Sequence, residues 1–291
     1  MNMRDVLLDS KKYSNTEIDV VWDGNPVLIL DVVSSEKQNK EYLKENQISL
    51  ALTSKPLIFL DELNIVKSRL NPDLIIFASR HTSATARPAF LVHTTGNWSS
   101  NNDFGGNPKE LSKTSALLHK AGFHSLEVQI KKYNFAEFSV DIEVTHHGPT
   151  TLDVPLIFME LGSSKQEWII KEAGELVANA IINTVFKYLD FKKEDNQQVA
   201  LGFGGTHYAP NFKRLLTNNS IALSFICPKY YIRELNEELI KQMIRNTLEE
   251  IDYFIVDWKG TNSVDKKQLI PLLEKFDIPI KKTRDFSNIS T

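Results

Sequence analysis

The sequence alternates short apolar segments of strand length with longer segments in which apolar residues repeat at helical spacing. Strands are predicted at residues 18–22, 26–33, 48–52, 74–78, 89–93, 125–130, 139–145, 155–161, 199–203, 221–226 and 253–258. Helices are predicted at residues 113–121, 165–189, 235–248 and 264–276. This alternation predicts an α/β fold in which a mixed sheet is flanked by helices.

Three local signals support particular elements. Asp23-Gly24 is a dipeptide suited to a tight hairpin turn between the strands predicted on either side of it. The run Leu74-Ile-Ile-Phe-Ala78 is continuously apolar, as expected for a strand buried on both faces. Ser164 and Glu167 form a capping-box pattern at the start of the helix predicted at residues 165–189.

The composition is that of an ordinary globular protein, with 42% hydrophobic and 24% charged residues. The one candidate linker, residues 192–198, is too short to mark a boundary, so a single domain over residues 1–291 is predicted. The N-terminus lacks a signal peptide, and no apolar run reaches the roughly 20 residues that a membrane-spanning helix needs. We therefore expect a soluble, cytoplasmic protein that does not contact membranes and needs no obligate protein partner, with a monomer as the default.

The net charge and the cysteine content of the chain narrow the possible functional classes further. The formal net charge of -3 argues against a protein that holds nucleic acid by overall basicity, although a local basic face remains open. Cys227 is the only cysteine, so no intrachain disulfide can form. Its apolar neighbours favour a buried structural thiol over a nucleophile.

All seven histidines lie between residues 81 and 207. His81, His146-His147 and His207 each follow a predicted strand, where α/β sheets place their ligand-binding loops. Adjacent side chains in a strand point to opposite faces, so His146 and His147 can serve one site only if the strand ends there, as Gly148-Pro149 indicates. One imidazole could then bind a metal or act as a general base while the other orients a neighbour, or both could make ordinary hydrogen bonds.

Two further segments place polar groups at predicted strand ends. Glu160 is a carboxylate in an otherwise apolar strand, and such a group is costly to bury unless it binds a cation, pairs or hydrogen-bonds. It is therefore a candidate metal ligand or general base, with a salt bridge as the alternative. Gly202-Phe-Gly-Gly205 could present backbone amides to an oxyanion or phosphate, or form a simple tight turn.

The remaining candidates carry weaker signals. A serine and His81 within Ser79-Arg80-His81-Thr-Ser83 could form a nucleophile pair, but the chain has no Gly-x-Ser-x-Gly elbow, which disfavours serine-hydrolase chemistry. Residues 93–98 could supply a further ligand or an aromatic platform, whereas His119 and His124 are interpreted as surface or packing residues. Histidine and carboxylate ligands without cysteine match a catalytic zinc-type site, although no His-Glu-x-x-His motif is present.

Five motif blocks, in their order and spacing, resemble those of the archaeal-type D-aminoacyl-tRNA deacylase (D-tyrosyl-tRNA deacylase) family. They are Phe77-Ala-Ser-Arg80-His81, Val92-His93-Thr-Thr-Gly96-Asn97-Trp98, Thr145-His-His-Gly148-Pro149-Thr150, Glu160-Leu-Gly-Ser-Ser164 with Trp168, and Ala200-Leu-Gly-Phe-Gly-Gly205-Thr-His207-Tyr-Ala-Pro210. Several blocks in series are more specific than any one of them.

This resemblance implies hydrolysis of the ester that joins a D-amino acid to the terminal ribose of tRNA, with zinc as the cofactor. It also implies a fold similar to peptidyl-tRNA hydrolase and nucleoside phosphorylase. A metal-bound or histidine-activated water would attack the ester carbonyl, and amides near Gly204-Gly205 would stabilise the oxyanion. The expected catalytic residues are His81, His147, Glu160 and His207, and these four together with His146 are the candidate metal ligands.

The sequence also offers candidate residues for contact with tRNA, and it leaves competing functions open. The candidate tRNA contacts are Arg80, Arg87, Lys109, Lys213 and Arg214 for phosphates, and Trp98 or Tyr208 for stacking on the terminal adenine. The alternative for every one of these cations is a solvated surface. The competing functions are a zinc-dependent exopeptidase or nucleoside-processing hydrolase on a similar fold, and a non-catalytic RNA-binding protein.

Overall fold

The computed structural model of the chain describes residues 3–9, 13–15, 20–30, 37–63, 70–218 and 221–286. The strands are β1 (Tyr13–Asn15), β2 (Val21–Trp22), β3 (Asn25–Pro26), β4 (Leu28–Leu30), β5 (Ser49–Leu50), β6 (Ile75–Arg80), β7 (Ala89–His93), β8 (Ser139–Ile142), β9 (Leu156–Gly162), β10 (Gln198–Phe203), β11 (Ile221–Cys227), β12 (Tyr253–Val256) and β13 (Ile280–Lys282). The α-helices are α1 (Met3–Asp9), α2 (Lys37–Glu45), α3 (Ala116–Ile130), α4 (Lys165–Trp168), α5 (Lys171–Phe191), α6 (Pro210–Asn218), α7 (Glu237–Arg245) and α8 (Ser263–Leu273). Short 3-10 helices lie at Leu57–Phe59, Lys229–Glu234 and Thr283–Phe286.

The N-terminal strands form two small antiparallel sheets. Strands β2 and β3 pair across Asp23-Gly24, as predicted, and both turn residues have positive φ, 49° and 76°. Strand β4 lies between β1 and β5 in the other small sheet. The strands predicted at 18–22 and 26–33 extend into residues 18–19 and 31–33, which lie outside the described residues.

The first central sheet is mixed, with the strand order β6-β9-β7-β8. Strands β6 and β9 are parallel, β9 and β7 are antiparallel, and β7 and β8 are parallel. Strand β6 lies at the edge of this sheet and is only half-buried, so the prediction of a strand buried on both faces was wrong. Strand β9, in contrast, is buried along its whole length between β6 and β7.

The second central sheet is parallel, with the order β11-β10-β12-β13. The chain that continues β8 joins the two sheets, because Thr145 N donates to Ile226 O at 3.0 Å and Val144 N donates to His207 O at 2.9 Å. Helices cover these sheets, and the predicted mixed α/β class is confirmed.

One strand prediction and one helix prediction were wrong. Residues 125–130 belong to α3 and not to a strand, because this helix is buried on most of its surface and therefore lacks a polar face to reveal its period. The helix predicted at 165–189 is two helices, α4 and α5, that are separated after Trp168. The capping box at Ser164 and Glu167 is confirmed at the start of α4.

Apolar side chains from both central sheets and from α3 and α5 form the largest core cluster, which includes Phe90, Leu118, Met159, Leu176 and Leu223. A second cluster packs α7 and α8 against the parallel sheet. Among the helices in the described residues, none combines the length and apolar character required to cross a membrane.

Candidate active site

The pairing of three strands brings polar side chains from distant parts of the sequence together. Glu160 lies on β9 opposite Ser79 of β6 and opposite Leu91 of β7. His81 and His93 each lie two residues beyond these partners, so all three side chains emerge on one face of the sheet. They are buried, with exposed fractions of 7% for His81, 0% for His93 and 3% for Glu160.

Glu160 is the central carboxylate of this group. Its Oε2 accepts a hydrogen bond from His81 Nδ1 at 3.2 Å and lies 3.6 Å from His93 Nε2. Burial alone would raise the pKa of Glu160, but the contacts with His81 and His93 hold that pKa well below its usual range. Burial also lowers the pKa of both imidazoles, and the nearby carboxylates overcome this and raise it.

The imidazoles of His93, His146 and His147 lie with their ring centroids 4.2–4.8 Å apart and share one hydrogen-bond arrangement. Nδ1 of His93 donates to Thr94 O at 3.0 Å, Nδ1 of His146 donates to Val144 O at 2.7 Å, and Nδ1 of His147 donates to Gly148 O at 2.6 Å. A carbonyl oxygen can only accept, so each Nδ1 carries a proton and each neutral ring has its lone pair on Nε2. This is the arrangement found in metal-binding histidines.

Adjacent residues His146 and His147 can both join this group because β8 has already ended at Ile142. His147 has a φ of 45°, in the left-handed region, which frees its ring from the alternation of a strand. Burial, and then the neighbouring His93, lower the pKa of His147 to about 3. The same two causes hold the pKa of His146 well below its usual range, so both rings stay neutral near pH 7.

A second carboxylate, Glu143, faces the same group from the continuation of β8. Its side chain is fully buried; Oε1 lies 2.8 Å from His207 Nε2 and Oε2 lies 3.6 Å from His81 Nδ1. Neither carboxylate oxygen makes a well-aligned hydrogen bond within the described residues. His207 is 38% exposed, and its Nδ1 lies 3.5 Å from the Tyr230 hydroxyl, so this pair lies on the solvent side of the group.

We call His81, His93, Glu143, His146, His147, Glu160 and His207 the His/Glu cluster. Three sets of ligand atoms within it lie within 4.8 Å of one another: His93 with His146 and His147, Glu143 with His146 and His207, and His81 with Glu143 and Glu160. Nε2 of His81, Nε2 of His93 and both oxygens of Glu143 are buried without a hydrogen-bond partner in the described residues. Buried polar atoms of this kind are costly unless something binds them, so the donor set fits a divalent cation such as zinc.

The structure brings together the five residues that the sequence suggested, His81, His146, His147, Glu160 and His207, and their roles stay predictions. Sequence reasoning missed Glu143 as a site residue. The signal was present, because Glu143 lies between Ile142 and Val144 just as Glu160 lies between apolar neighbours. His93 was considered only as a possible further ligand.

The expected stacking of Trp98 on a tRNA base does not agree with its position in the structure. Its side chain is 1% exposed and its Nε1 donates to Thr145 O at 2.8 Å, so it supports the loop before His146 and is not available for stacking on a base. Lys109 pairs with Glu234 and lines a polar cleft that contains none of the cluster residues.

The other expected tRNA contacts have accessible side chains. Arg80 stacks on Trp168, whose Nε1 donates to His81 O at 2.9 Å. Arg214 is exposed and its Nη2 donates to Thr283 O at 3.4 Å. Arg87 and Lys213 both pair with Asp141, and Tyr208 lies under the Arg87 guanidinium. Contact with tRNA stays a prediction for all of them.

The glycine-rich loop does not have the expected free amide at Gly204. Gly204 N donates to Cys227 O at 2.8 Å, so this amide is not available to an oxyanion. Gly204 has a φ of 97°, and a Cβ there would lie 2.0 Å from Thr261 Oγ1, which indicates a packing role for this glycine. Cys227 and His119 are fully buried as expected of structural residues.

The matching family model and the named relatives agree on one family. The family model described as D-aminoacyl-tRNA deacylase matches residues 68–281. A Methanocaldococcus jannaschii protein named D-aminoacyl-tRNA deacylase is 38% identical over 69% of this chain and 79% of its own length. A Thermococcus onnurineus protein of the same name is 33% identical over 96% of this chain and 93% of its own. A crystal structure described as a conserved protein of unknown function is 28% identical, with a TM-score of 0.79 over 98% of this chain and 91% of that one.

Proposed function

The chain belongs to the D-aminoacyl-tRNA deacylase family, and from this we propose that its His/Glu cluster is where it hydrolyses the ester of D-aminoacyl-tRNA. The products are free D-amino acid and tRNA, so the reaction prevents D-amino-acid toxicity and recycles tRNA. The assignment to this site rests on buried ligand atoms that have no hydrogen-bond partner within the described residues. These residues lie in the part of the chain that the family model matches. The family match favours this function over the exopeptidase and nucleoside-processing alternatives.

We propose zinc as the cofactor, held by His93, His146 and His147. The three Nε2 lone pairs, each fixed by an Nδ1 hydrogen bond to a carbonyl, support this assignment. When bound, zinc would supply Lewis acidity and lower the pKa of a coordinated water. The neutral state of His146 and His147 means that little proton release is needed at these two ligands.

His207 is proposed as the general base, with Glu143 as its orienting partner. His207 Nε2 lies 2.8 Å from Glu143 Oε1, so a small rotation of the ring would direct the Nε2 proton at this carboxylate. The Nδ1 lone pair, 3.5 Å from the Tyr230 hydroxyl, is then left to take a proton from water. The buried Glu143 carboxylate then stabilises the imidazolium that forms. The Tyr230 hydroxyl, 3.5 Å from His207 Nδ1, can donate a hydrogen bond to the departing ribose oxygen, which then takes the proton that His207 removed from water.

His81 is proposed as the donor to the oxyanion, in place of the Gly204 amide. Its Nδ1–H is held by Glu160, which raises the pKa of the ring and favours the form with a second proton on Nε2. That Nε2 is buried and has no partner in the described residues, so its N–H is free to meet the negative charge that develops on the ester oxygen. Glu160 therefore acts through His81 as a positioning residue.

Two substitutions test this assignment. His147→Ala and His207→Ala should each abolish turnover of D-tyrosyl-tRNA while leaving the fold intact. His124→Gln is a matched control, because His124 is a half-buried histidine outside the cluster whose Nε2 donates to Leu216 O. Wild-type activity in both alanine variants, with the fold verified by circular dichroism, would remove the cluster as the active site.

We propose that the protein acts as a cytoplasmic monomer with residues 1–291 as one domain, and that its fold is similar to peptidyl-tRNA hydrolase and nucleoside phosphorylase. The mixed α/β architecture and the tRNA-acting family are in line with these proposals.

A further inference from the structure

One buried carboxylate beside the His/Glu cluster holds two cations. Asp141 lies on β8; its Oδ2 is 2.6 Å from Arg87 Nη2 and its Oδ1 is 2.7 Å from Lys213 Nζ. The Asp141 side chain is 10% exposed, whereas those of Arg87 and Lys213 are 47% and 32% exposed. The carboxylate therefore fixes two cations that remain accessible to solvent.

These two cations are next to the proposed reaction centre. Asp141 precedes Glu143 by two residues, so in extended chain the two side chains emerge on the same side. Tyr208 directly follows His207, and the Arg87 guanidinium lies 4.9 Å from the centre of the Tyr208 ring. The pair of cations and the aromatic ring thus form one surface that borders the general base.

The geometry of this surface is fixed by its own contacts. Arg87 O accepts from Ser163 Oγ at 2.6 Å, and the Tyr208 hydroxyl contacts Ser83 Oγ at 3.4 Å. Two cations on one carboxylate leave a surplus of positive charge. Glu127 also interacts with Lys213: burial raises the pKa of Glu127, and the charges of Lys131 and, less strongly, of Lys213 oppose that rise.

Arginine and lysine held at one point match the charge of a phosphate, and an adjacent aromatic face matches a base. In aminoacyl-tRNA the phosphodiester nearest the reacting ester is the one on the 5′ side of the terminal nucleotide. We propose that Arg87 and Lys213, held by Asp141, bind this phosphodiester, and that the base of the terminal nucleotide stacks on the face of the Tyr208 ring opposite Arg87. This proposal rests on the proposed function and assigns the tRNA-binding part of the same site.

The test compares two substrates that differ in the phosphate. One is D-tyrosyl-tRNA and the other is the D-tyrosyl ester of adenosine, which has no phosphodiester. For Arg87→Gln and for Lys213→Gln, the loss in kcat/KM on tRNA should exceed the loss on the adenosine ester by about 10- to 100-fold, the value of one charge-assisted hydrogen bond. The loss on tRNA should lie in KM more than in kcat.

Salt dependence provides a second readout that a structural role would not change. Each lost phosphate contact should reduce the slope of log(kcat/KM) against log salt by about 0.7 on the tRNA substrate. Arg87→Lys keeps the charge and should retain the wild-type slope. Lys275→Gln removes a cation from an exposed pair with Glu237 and serves as the matched control, with no change in slope. Equal losses on both substrates, or an unchanged slope in both glutamine variants, would overturn the proposal.

Failure of the proposed function gives a different result from failure of this subsite. If the zinc-loaded wild-type protein cleaves neither ester, the deacylase assignment is wrong. The subsite is then tested by binding of an uncharged RNA trinucleotide with the sequence of the tRNA 3′ end. Binding by the wild-type protein that weakens at least tenfold in Arg87→Gln and Lys213→Gln supports the subsite, and equal binding by all three proteins refutes it.

Discussion

Replacing Glu143 by Gln should stabilise the metal-free protein and at the same time remove most of its activity. The Glu143 side chain is fully buried, and within the described residues its oxygens lack well-aligned hydrogen bonds. Burying an ion costs several kcal/mol, of which the imidazoles of His207 at 2.8 Å and His81 at 3.6 Å recover a part. The amide has the same shape without the charge, so we expect a gain of about 1–3 kcal/mol in the free energy of unfolding.

The assay has a stability arm and an activity arm. At about 2–4 °C per kcal/mol for a chain of this size, Tm in the presence of chelator should rise by about 2–12 °C. With zinc restored, kcat on D-tyrosyl-tRNA should fall by about 10²–10⁴-fold, because His207 loses the carboxylate that orients it.

Glu249→Gln is the control, because this substitution should lower the free energy of unfolding where Glu143→Gln raises it. The Glu249 carboxylate accepts from Ala116 N at 2.9 Å and from Leu117 N at 3.3 Å at the start of α3, so the neutral amide should cost about 0.5–2 kcal/mol. A Glu143→Gln protein that is less stable than wild type would show that the buried charge does not destabilise the fold. Wild-type turnover in this protein would show that Glu143 does not orient His207.

Four further outcomes follow from the site. His146→Ala should lower the zinc bound per chain, and unchanged zinc by elemental analysis would contradict the ligand assignment. The carboxylate neighbours of His93 raise its pKa, so protons compete with zinc for this ring. Calorimetry should therefore show that the affinity for zinc falls by up to about tenfold per pH unit below that pKa. Burial lowers the pKa of His119 to about 4, so the contribution of the neutral ring to the free energy of unfolding is fully present above pH 6.5 and is lost as the pH falls towards 4. In urea unfolding of the chelated protein, this free energy should depend less on pH in His119→Gln than in wild type. Trp98→Phe should cost about 1–2 kcal/mol of stability with KM for tRNA within about twofold of wild type, whereas a large rise in KM would restore the stacking role.

The sequence predicted the elements that have a clear apolar period and the residues that end them. Strands β7, β10 and β11 and the capping box at Ser164 were predicted because their signals are local. The helical residues 125–130 were assigned to a strand because α3 is buried on most sides, and a helix without a polar face has no visible period.

For the site, residue type and strand ends were enough to select His81, His146, His147, Glu160 and His207. The tertiary contacts that define their chemistry could not be predicted. The position of Glu143 next to His207 depends on how the continuation of β8 packs beside β11, and this pairing leaves no local signal in the sequence. The burial of Trp98 and the Gly204–Cys227 hydrogen bond are likewise properties of loop packing.

We propose that the His/Glu cluster carries out stereospecific, zinc-dependent hydrolysis of D-aminoacyl-tRNA. The most direct measurement is the release of D-tyrosine and, separately, of L-tyrosine from charged tRNA by the purified protein, with and without chelator and added zinc. We expect cleavage of the D ester alone, and this activity should be lost with chelator and restored by zinc. Cleavage of neither ester by folded, zinc-loaded protein would contradict the proposal.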